Sequence, residues 1–299
     1  MNYFADLALR LALLLNLALA LNIPFRWGGR LILSQGIFVA MGAYVVAISI
    51  VRWDLHPALA VLLAGLIAVP SGWLLARIAA PLSAATFALL TFLLALAGME
   101  ILENWDSLTG GRSGIGGLHN LFLPGLNASP KMSVALVLLL LGLLFFLLAR
   151  FLFQTQFGRA VRASRDDATG AELDGISVIR VERDVFILFA VHSALAGALW
   201  AFALPRVIPE YFDFAVLSLP IVLACILGGG EQPRHALLGA LLVLALDEGA
   251  QRLPTTPEVR ADVPLLVVGI AYVVVTLING DSGVLSTANR FKARLRRYM

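Results

Sequence analysis

Charge is scarce in this chain. Of its 299 residues only 14% are Asp, Glu, Lys or Arg, while 60% are hydrophobic, against about 25% and roughly 45–50% in ordinary soluble domains. That composition excludes a soluble protein. Cysteine is nearly absent as well. The single thiol, Cys225, can close no internal disulfide and has no second cysteine for a metal cluster, so it is expected as a small buried residue. No G-x-x-x-x-G-K-[ST] string occurs, which excludes ATP hydrolysis on a phosphate-cradling loop of that kind. His56, His119, His192 and His235 are scattered, and none is spaced with another His or Cys as a metal pair would be. A strained G-x-S-x-G elbow is also missing; Gly110, Gly111, Arg112, Ser113 and Gly114 form the nearest string and suit a flexible turn. Neither a cofactor nor catalytic chemistry is expected. Heptads, low-complexity stretches and disordered linkers are lacking too.

What the chain has is apolar length. About 179 apolar residues, at about 20 per crossing of a ~30 Å hydrocarbon core, allow up to about nine spans. Long apolar runs broken by charge, Gly and Pro place them at about 3–23, 31–51, 57–76, 82–102, 132–153, 184–204, 213–229, 236–253 and 263–280, an all-α polytopic membrane protein forming one domain over 1–299. Basic residues collect in cytoplasmic loops. Counting alternate loops puts Arg26, Arg30, Arg77, Arg150, Arg159, Arg162, Arg165, Arg180, Arg183, Arg234 and five tail residues on one side, 15 in all, against 7 on the other (Arg10, Arg52, Arg112, Lys131, Arg206, Arg252 and Arg260). The N-terminus is therefore expected outside and the C-terminus in the cytoplasm. The net charge of +3 does not point to nucleic acid, because five of the 22 basic residues crowd the last ten positions, where they suit a lipid headgroup surface. An A-x-A string, Ala18, Leu19 and Ala20, ends the first run, but only Asp6 and Arg10 precede it, so it is expected to be kept as a span rather than cleaved.

Two loops are long, the outer one at about 103–131 and the cytoplasmic one at about 154–183, and long loops in compact domains carry function. Of 41 charged residues, 12 lie within 150–184. Arg159, Arg162 and Arg165 recur at spacing three, followed by Asp166, Asp167, Glu172 and Asp174. A surface helix over Ala160–Leu173, stopped by Gly175, would carry the arginines on one face. It suits docking into a groove on a cytosolic partner; the alternative is that the arginines only satisfy the positive-inside bias.

These residues resemble the permeases of the branched-chain (hydrophobic) amino acid ABC importers, in the subunit type with a long coupling loop. Gly158, Arg159, Ala160, Arg162, Arg165, Asp166, Ala171, Glu172, Gly175 and Ile176 match that family's loop pattern, while Ala168, Gly170 and Asp174 depart from it. The resemblance implies that Gly158, Arg159, Arg162, Arg165, Asp166, Glu172 and Gly175 contact an ATPase. Three further segments extend it. The string GMEILENWDSLTGGRSGIGG at 98–117 is the most specific. Its Glu100 lies near the end of an apolar run, where an ionisable group faces a cavity or partner, or else sits solvated at the headgroups; Glu103 is one turn further on. The segment GGRLILSQGIFVAMGAY at 28–44 matches at Gln35, Phe38, Gly42, Ala43 and Tyr44 and departs at Ile32, Ser34 and Ala40. There a helix break near Ser34 to Gly36 would form a binding element, the alternative being an unbroken helix with small residues for close packing. In LGGGEQPRHALLGALL at 227–242, Glu231 and His235 stand where the family usually has glycine, and Ala236 where it has proline. SALAGALWAF at 193–202 suits small-residue helix packing.

The resemblance implies a translocation path through Gln35, Gly36, Tyr44, Glu100 and Asn104 for branched-chain or other hydrophobic amino acids, with urea or short amides as alternative substrates. It also implies a second related permease, two cytosolic ATPases and an extracytoplasmic binding protein, in a bacterial inner membrane. The competing expectation is a secondary transporter coupled to ions through Glu100, Asp247 or Glu248. The last two are adjacent and point about 100° apart on a helix.

Overall fold

The computed structural model describes residues 2–118 and 130–251. Its helices are α1 (Asn2–Asn22), α2 (Gln35–Trp53), α3 (Pro57–Ala79), α4 (Ala84–Asn104), the single turn α5 (Asp106–Thr109), α6 (Pro130–Gln154), α7 (Gln156–Asp166), α8 (Ala168–Leu173), α9 (Val178–Ala201), α10 (Leu219–Gly228) and α11 (Pro233–Gln251). Strand β1 (Ile115–Gly116) pairs antiparallel with β2 (Arg206–Val207), Ile115 opposite Val207, so the helical expectation holds apart from this short ladder. Six helices among the described residues are long and apolar enough to cross a membrane, and the apolar helix Phe214–Gly228 is shorter. The ninth expected span, 263–280, lies outside the described residues, as do the basic tail and residues 119–129 of the outer loop. The chain falls into two compact units, 1–241 and 242–299. The described part of the second, 242–251, is the last turns of α11, where Asp247 and Glu248 are partly buried.

In the first unit α9 is the central helix, packed on α1, α2, α3 and α6. Small residues allow backbone to meet backbone there. A Cβ on Gly42 of α2 would stand 2.6 Å from the carbonyl carbon of Ala194, and one on Gly197 of α9 would stand 2.8 Å from that of Val39. The same helix meets α3, where a Cβ on Gly72 would lie 2.7 Å from the Phe186 carbonyl oxygen. The small-residue packing expected of 193–202 is thus built around Ala194 and Gly197. Around this core, Leu62, Leu66, Trp73 and Leu74 of α3, Leu89 and Leu93 of α4, and Leu140, Leu143, Leu144 and Phe151 of α6 face outward. Exposed apolar area on that scale is stable only against lipid or another subunit.

Two elements are interrupted. The span expected at 31–51 starts four residues later, because residues 28–34 are not helical. Gly29 takes a left-handed φ of 68°, and the Arg30 N–H folds back to the Pro24 carbonyl at 2.8 Å. Backbone freed by the break is satisfied by side chains: the Leu33 N–H donates to Thr91 Oγ1 of α4 and the Gly36 N–H to Ser218 Oγ. Irregular backbone in an apolar bundle survives where protein supplies partners in this way. The second interruption is the π turn Phe214–Ser218 ahead of α10. Asp213 Oδ1 caps it by accepting the Ala215 N–H, and Pro220, which has no N–H to give, follows it.

Ion pairs close each end of the bundle. At one end Arg30 joins Glu182 of α9 at 2.9 Å, with both side chains more than four-fifths buried, and donates to the Leu82 carbonyl between α3 and α4. At the other, Lys131 meets Asp6, Arg112 meets Glu103 at 2.9 Å, and Arg52 donates to the Ser107 and Leu108 carbonyls.

Candidate functional site

The long basic loop is mostly helix. The single helix expected over Ala160–Leu173 is divided at Asp167, whose extended backbone (φ −152°, ψ 98°) ends α7 and starts α8. The cause is local: Asp167 Oδ1 accepts the Gly170 N–H at 3.0 Å, a cap that competes with helix continuation. The expected stop is in place. Gly175 has φ 82°, its N–H bonds the Glu172 carbonyl and the Ile176 N–H that of Ala171, the pair of bonds that closes a left-handed helix end. The loop boundary moves too, since α9 starts at Val178 and projects Arg180, Glu182, Arg183 and Asp184 beyond its apolar part. Gly158 is buried where α7 crosses the end of α6; a Cβ there would lie 2.7 Å from the Phe153 carbonyl oxygen.

The three arginines do not act as one face. Spacing of three drifts by about 60° per step around a helix, and the structure gives each a different task. Arg159 is exposed and donates to the Gln154 carbonyl. Arg162 lies 4.2 Å over the Phe153 ring and donates to that residue's carbonyl. Arg165 turns inward: its Nη1 donates to the Arg26 carbonyl and to Glu231 Oε1, both at 2.7 Å, and its Nε to Asp166 Oδ1 at 2.8 Å. Partial burial of Arg165 works against its charge, but the bonds to Asp166 and Glu231 outweigh it and hold the guanidinium above its ordinary pKa. What remains outward is Arg159, Asp166, Glu172, Leu173 and Gly175. Leu173, unremarked in the sequence, is 85% exposed.

The residues expected along a path fall in two places. Gln35, Gly36 and Tyr44 are inside the bundle. Gln35 is fully buried, and its Nε2 donates to the Leu17 carbonyl at 2.9 Å and to Ser193 Oγ at 3.2 Å. A Cβ on Gly36 would collide with the Phe212 carbonyl, and Tyr44 packs on the Phe212 ring at 6.0 Å. Among the described residues no hydrogen-bond partner reaches Ser34 Oγ, Gln35 Oε1 or Tyr44 Oη. Glu100 and Asn104 are instead exposed on α4, together with Thr86, Leu89, Leu93 and Ala97 at spacings of three and four. The Asn104 amide donates to the Glu100 carbonyl at 2.8 Å and to its carboxylate at 3.2 Å. Glu103 turns away to Arg112, so the two carboxylates have separate partners.

Buried polar side chains with no motif to mark them in the sequence join the helices around this break. Asn16 Nδ2 donates to the Leu138 carbonyl of α6 at 2.8 Å, and His192, which bonds the Asn16 backbone, stacks on Phe145 at 3.6 Å. Asn16 interrupts an otherwise apolar run, and that was the available signal. At the α7 end, Arg26 caps α10 by donating to the Cys225 and Ile226 carbonyls, and the Trp27 indole N–H donates to the Glu231 carbonyl.

Comparison with known proteins places this arrangement. Residues 3–278 match the family model of the branched-chain amino acid transport system permease component. Two curated relatives, each a high-affinity branched-chain amino acid transport system permease protein LivM, are 28% identical: the Salmonella typhimurium protein over 80% of this chain and 62% of its own length, the Escherichia coli protein over 83% and 63%. The chain thus spans under two thirds of the relatives it matches. No solved structure matches it at a significant level. The chain belongs to the branched-chain amino acid transport permease family.

Proposed function

We propose that this chain is a permease subunit of an ATP-binding cassette importer for branched-chain or other hydrophobic amino acids. It is a single transmembrane domain of nine spans, with the N-terminus outside and the C-terminus in the cytoplasm of a bacterial inner membrane. It performs no chemistry. A second related permease completes the path, two cytosolic ATPases supply the energy, and an extracytoplasmic binding protein delivers substrate. One observation carries this reading: α7 and α8 form a charged platform that presents Arg159, Glu172 and the 85% exposed Leu173 outward while Arg165 ties its other side to the spans. A self-contained carrier has no use for such a surface. An exposed apolar side chain framed by charges at a helix end is a surface that a partner groove can cover.

The path runs along the exposed face of α4. An ionisable group near the end of an apolar run faces a cavity or a partner, so Glu100 and Asn104 mark the side that lines a route against the second permease. Gln35, Gly36 and Tyr44 act from behind it. Each buried polar group without a partner costs about 1–3 kcal/mol, and Ser34 Oγ and Gln35 Oε1 at the start of α2, with Tyr44 Oη further along the same helix, give that helix something to gain from rearranging.

Glu100→Gln is expected to lower substrate uptake severalfold in the reconstituted complex while assembly and ATP binding are unchanged. Wild-type uptake kinetics would remove Glu100 from the path. ATP hydrolysis by the complex in nanodiscs tests the function itself: it should rise when the liganded binding protein is added, and a rate indifferent to that protein would count against the importer.

A further inference from the structure

Four side chains from three parts of the chain meet where α7 lies against the bundle. Arg165, in the last turn of α7, donates through one nitrogen to the Arg26 carbonyl at the end of the first span and to the Glu231 carboxylate in the turn between α10 and α11. Glu231 faces both cations, since its charge also attracts the Arg26 guanidinium, which caps α10. Its backbone carbonyl accepts from the Trp27 indole at 2.6 Å. The stem of Arg165 rests on Gly29, where a Cβ would come within 2.8 Å of Arg165 Cγ. A displacement of α7 therefore pulls on the ends of the first span and α10, or breaks charge-assisted bonds that are about twice as strong as neutral hydrogen bonds.

We propose that Glu231 is a positioning residue that acts through Arg165, making α7 a strut that carries movement to the inner ends of the first span and α10, next to the break at 28–34. The inference rests on the reading of α7 and α8 as the ATPase-facing platform. Arg165 serves as the fixed end of the strut, whereas Arg159 and Leu173 are its free surface.

The test uses the full chain in the assembled complex in nanodiscs, spin-labelled at Thr169→Cys and Arg234→Cys, both exposed; the native Cys225 is buried and does not compete. Electron paramagnetic resonance should give a narrow distance distribution in the parent chain and a distribution at least twice as broad with Glu231→Ala, with Glu231→Gln in between because it keeps an acceptor oxygen. In the unlabelled complex Glu231→Ala should lower substrate-stimulated ATP turnover about fivefold with the KM for ATP unchanged. High salt should reproduce that loss in the parent and add nothing to it in the variant. An unchanged distance distribution in Glu231→Ala overturns the strut. An ATPase rate that substrate does not stimulate even in the parent overturns the platform reading, and the distance measurement then judges the strut by itself.

Discussion

Leu173→Glu is expected to reduce substrate-stimulated ATP hydrolysis of the assembled complex at least tenfold, while the melting temperature of the chain stays within a degree or two of the parent. Leu173 is 85% exposed at the end of α8, so the substitution gives up little buried surface, and exposed substitutions of this kind change stability by less than about 0.5 kcal/mol. In a docked complex the balance reverses. Covering a leucine is worth about 1.5–3 kcal/mol, and covering an unpaired carboxylate in its place adds a desolvation cost of similar size. A combined loss of about 3 kcal/mol corresponds to roughly a hundredfold in affinity. Titration of ATPase activity against ATPase subunit concentration checks this. Stimulation that survives at parental subunit concentrations would show that α8 is not covered by a partner.

The second large effect is on folding. Gly42→Leu is expected to lower the yield of monodisperse protein in detergent more than tenfold. At this crossing of α2 and α9 the obstacle is backbone: a Cβ would sit 2.6 Å from the Ala194 carbonyl carbon and 2.8 Å from its Cα, and neither can rotate away. Adding methylenes to a packed core costs about 1–3 kcal/mol even where side chains can adjust. Four carbons against a fixed helix exceed that, in a fold whose whole stability is about 5–15 kcal/mol. Gly65→Ala is the control, because a Cβ there meets only the Leu195 side chain, at 3.2 Å, which can turn aside. Size-exclusion chromatography of the two variants separates the cases, and a parental profile for Gly42→Leu would contradict the close α2–α9 contact.

How far the sequence disclosed this structure depends on the range of the interaction. Spans set by a single long run were legible, because burying about 20 apolar residues is a local property of a run: the expected 57–76, 82–102 and 132–153 lie within three residues of Pro57–Ala79, Ala84–Asn104 and Pro130–Gln154, whereas the expected 184–204 begins six residues inside Val178–Ala201 and 236–253 falls on α11, which is not among the six membrane-length apolar helices. The stop at Gly175 was legible because positive φ belongs to glycine. The helix break before Gln35 was legible as an alternative only. What decides it is not local, namely the Thr91 and Ser218 hydroxyls that take over the freed backbone from elements 58 and 182 residues away. The division of the loop helix at Asp167 is the departure from the single expected helix, and its local signal is Asp, a favoured N-cap residue, inside the run. The arginines were misjudged as a group for a geometric reason, since the 60° drift at spacing three sends Arg159 outward and Arg165 toward Glu231. No pattern in the sequence pairs residues 165 and 231. The separation of Gln35 and Tyr44 from Glu100 and Asn104 likewise follows from which faces of α2 and α4 the bundle buries.

The proposed importer moves substrate only when driven by ATPase subunits from the platform side. Uptake of radiolabelled leucine into proteoliposomes, with the chain alone and with its second permease, ATPases, binding protein and ATP, tests it most directly. Uptake is expected in the complete system with ATP and none from the chain alone under an imposed proton or sodium gradient; gradient-driven uptake by the chain alone would show an ion-coupled carrier instead.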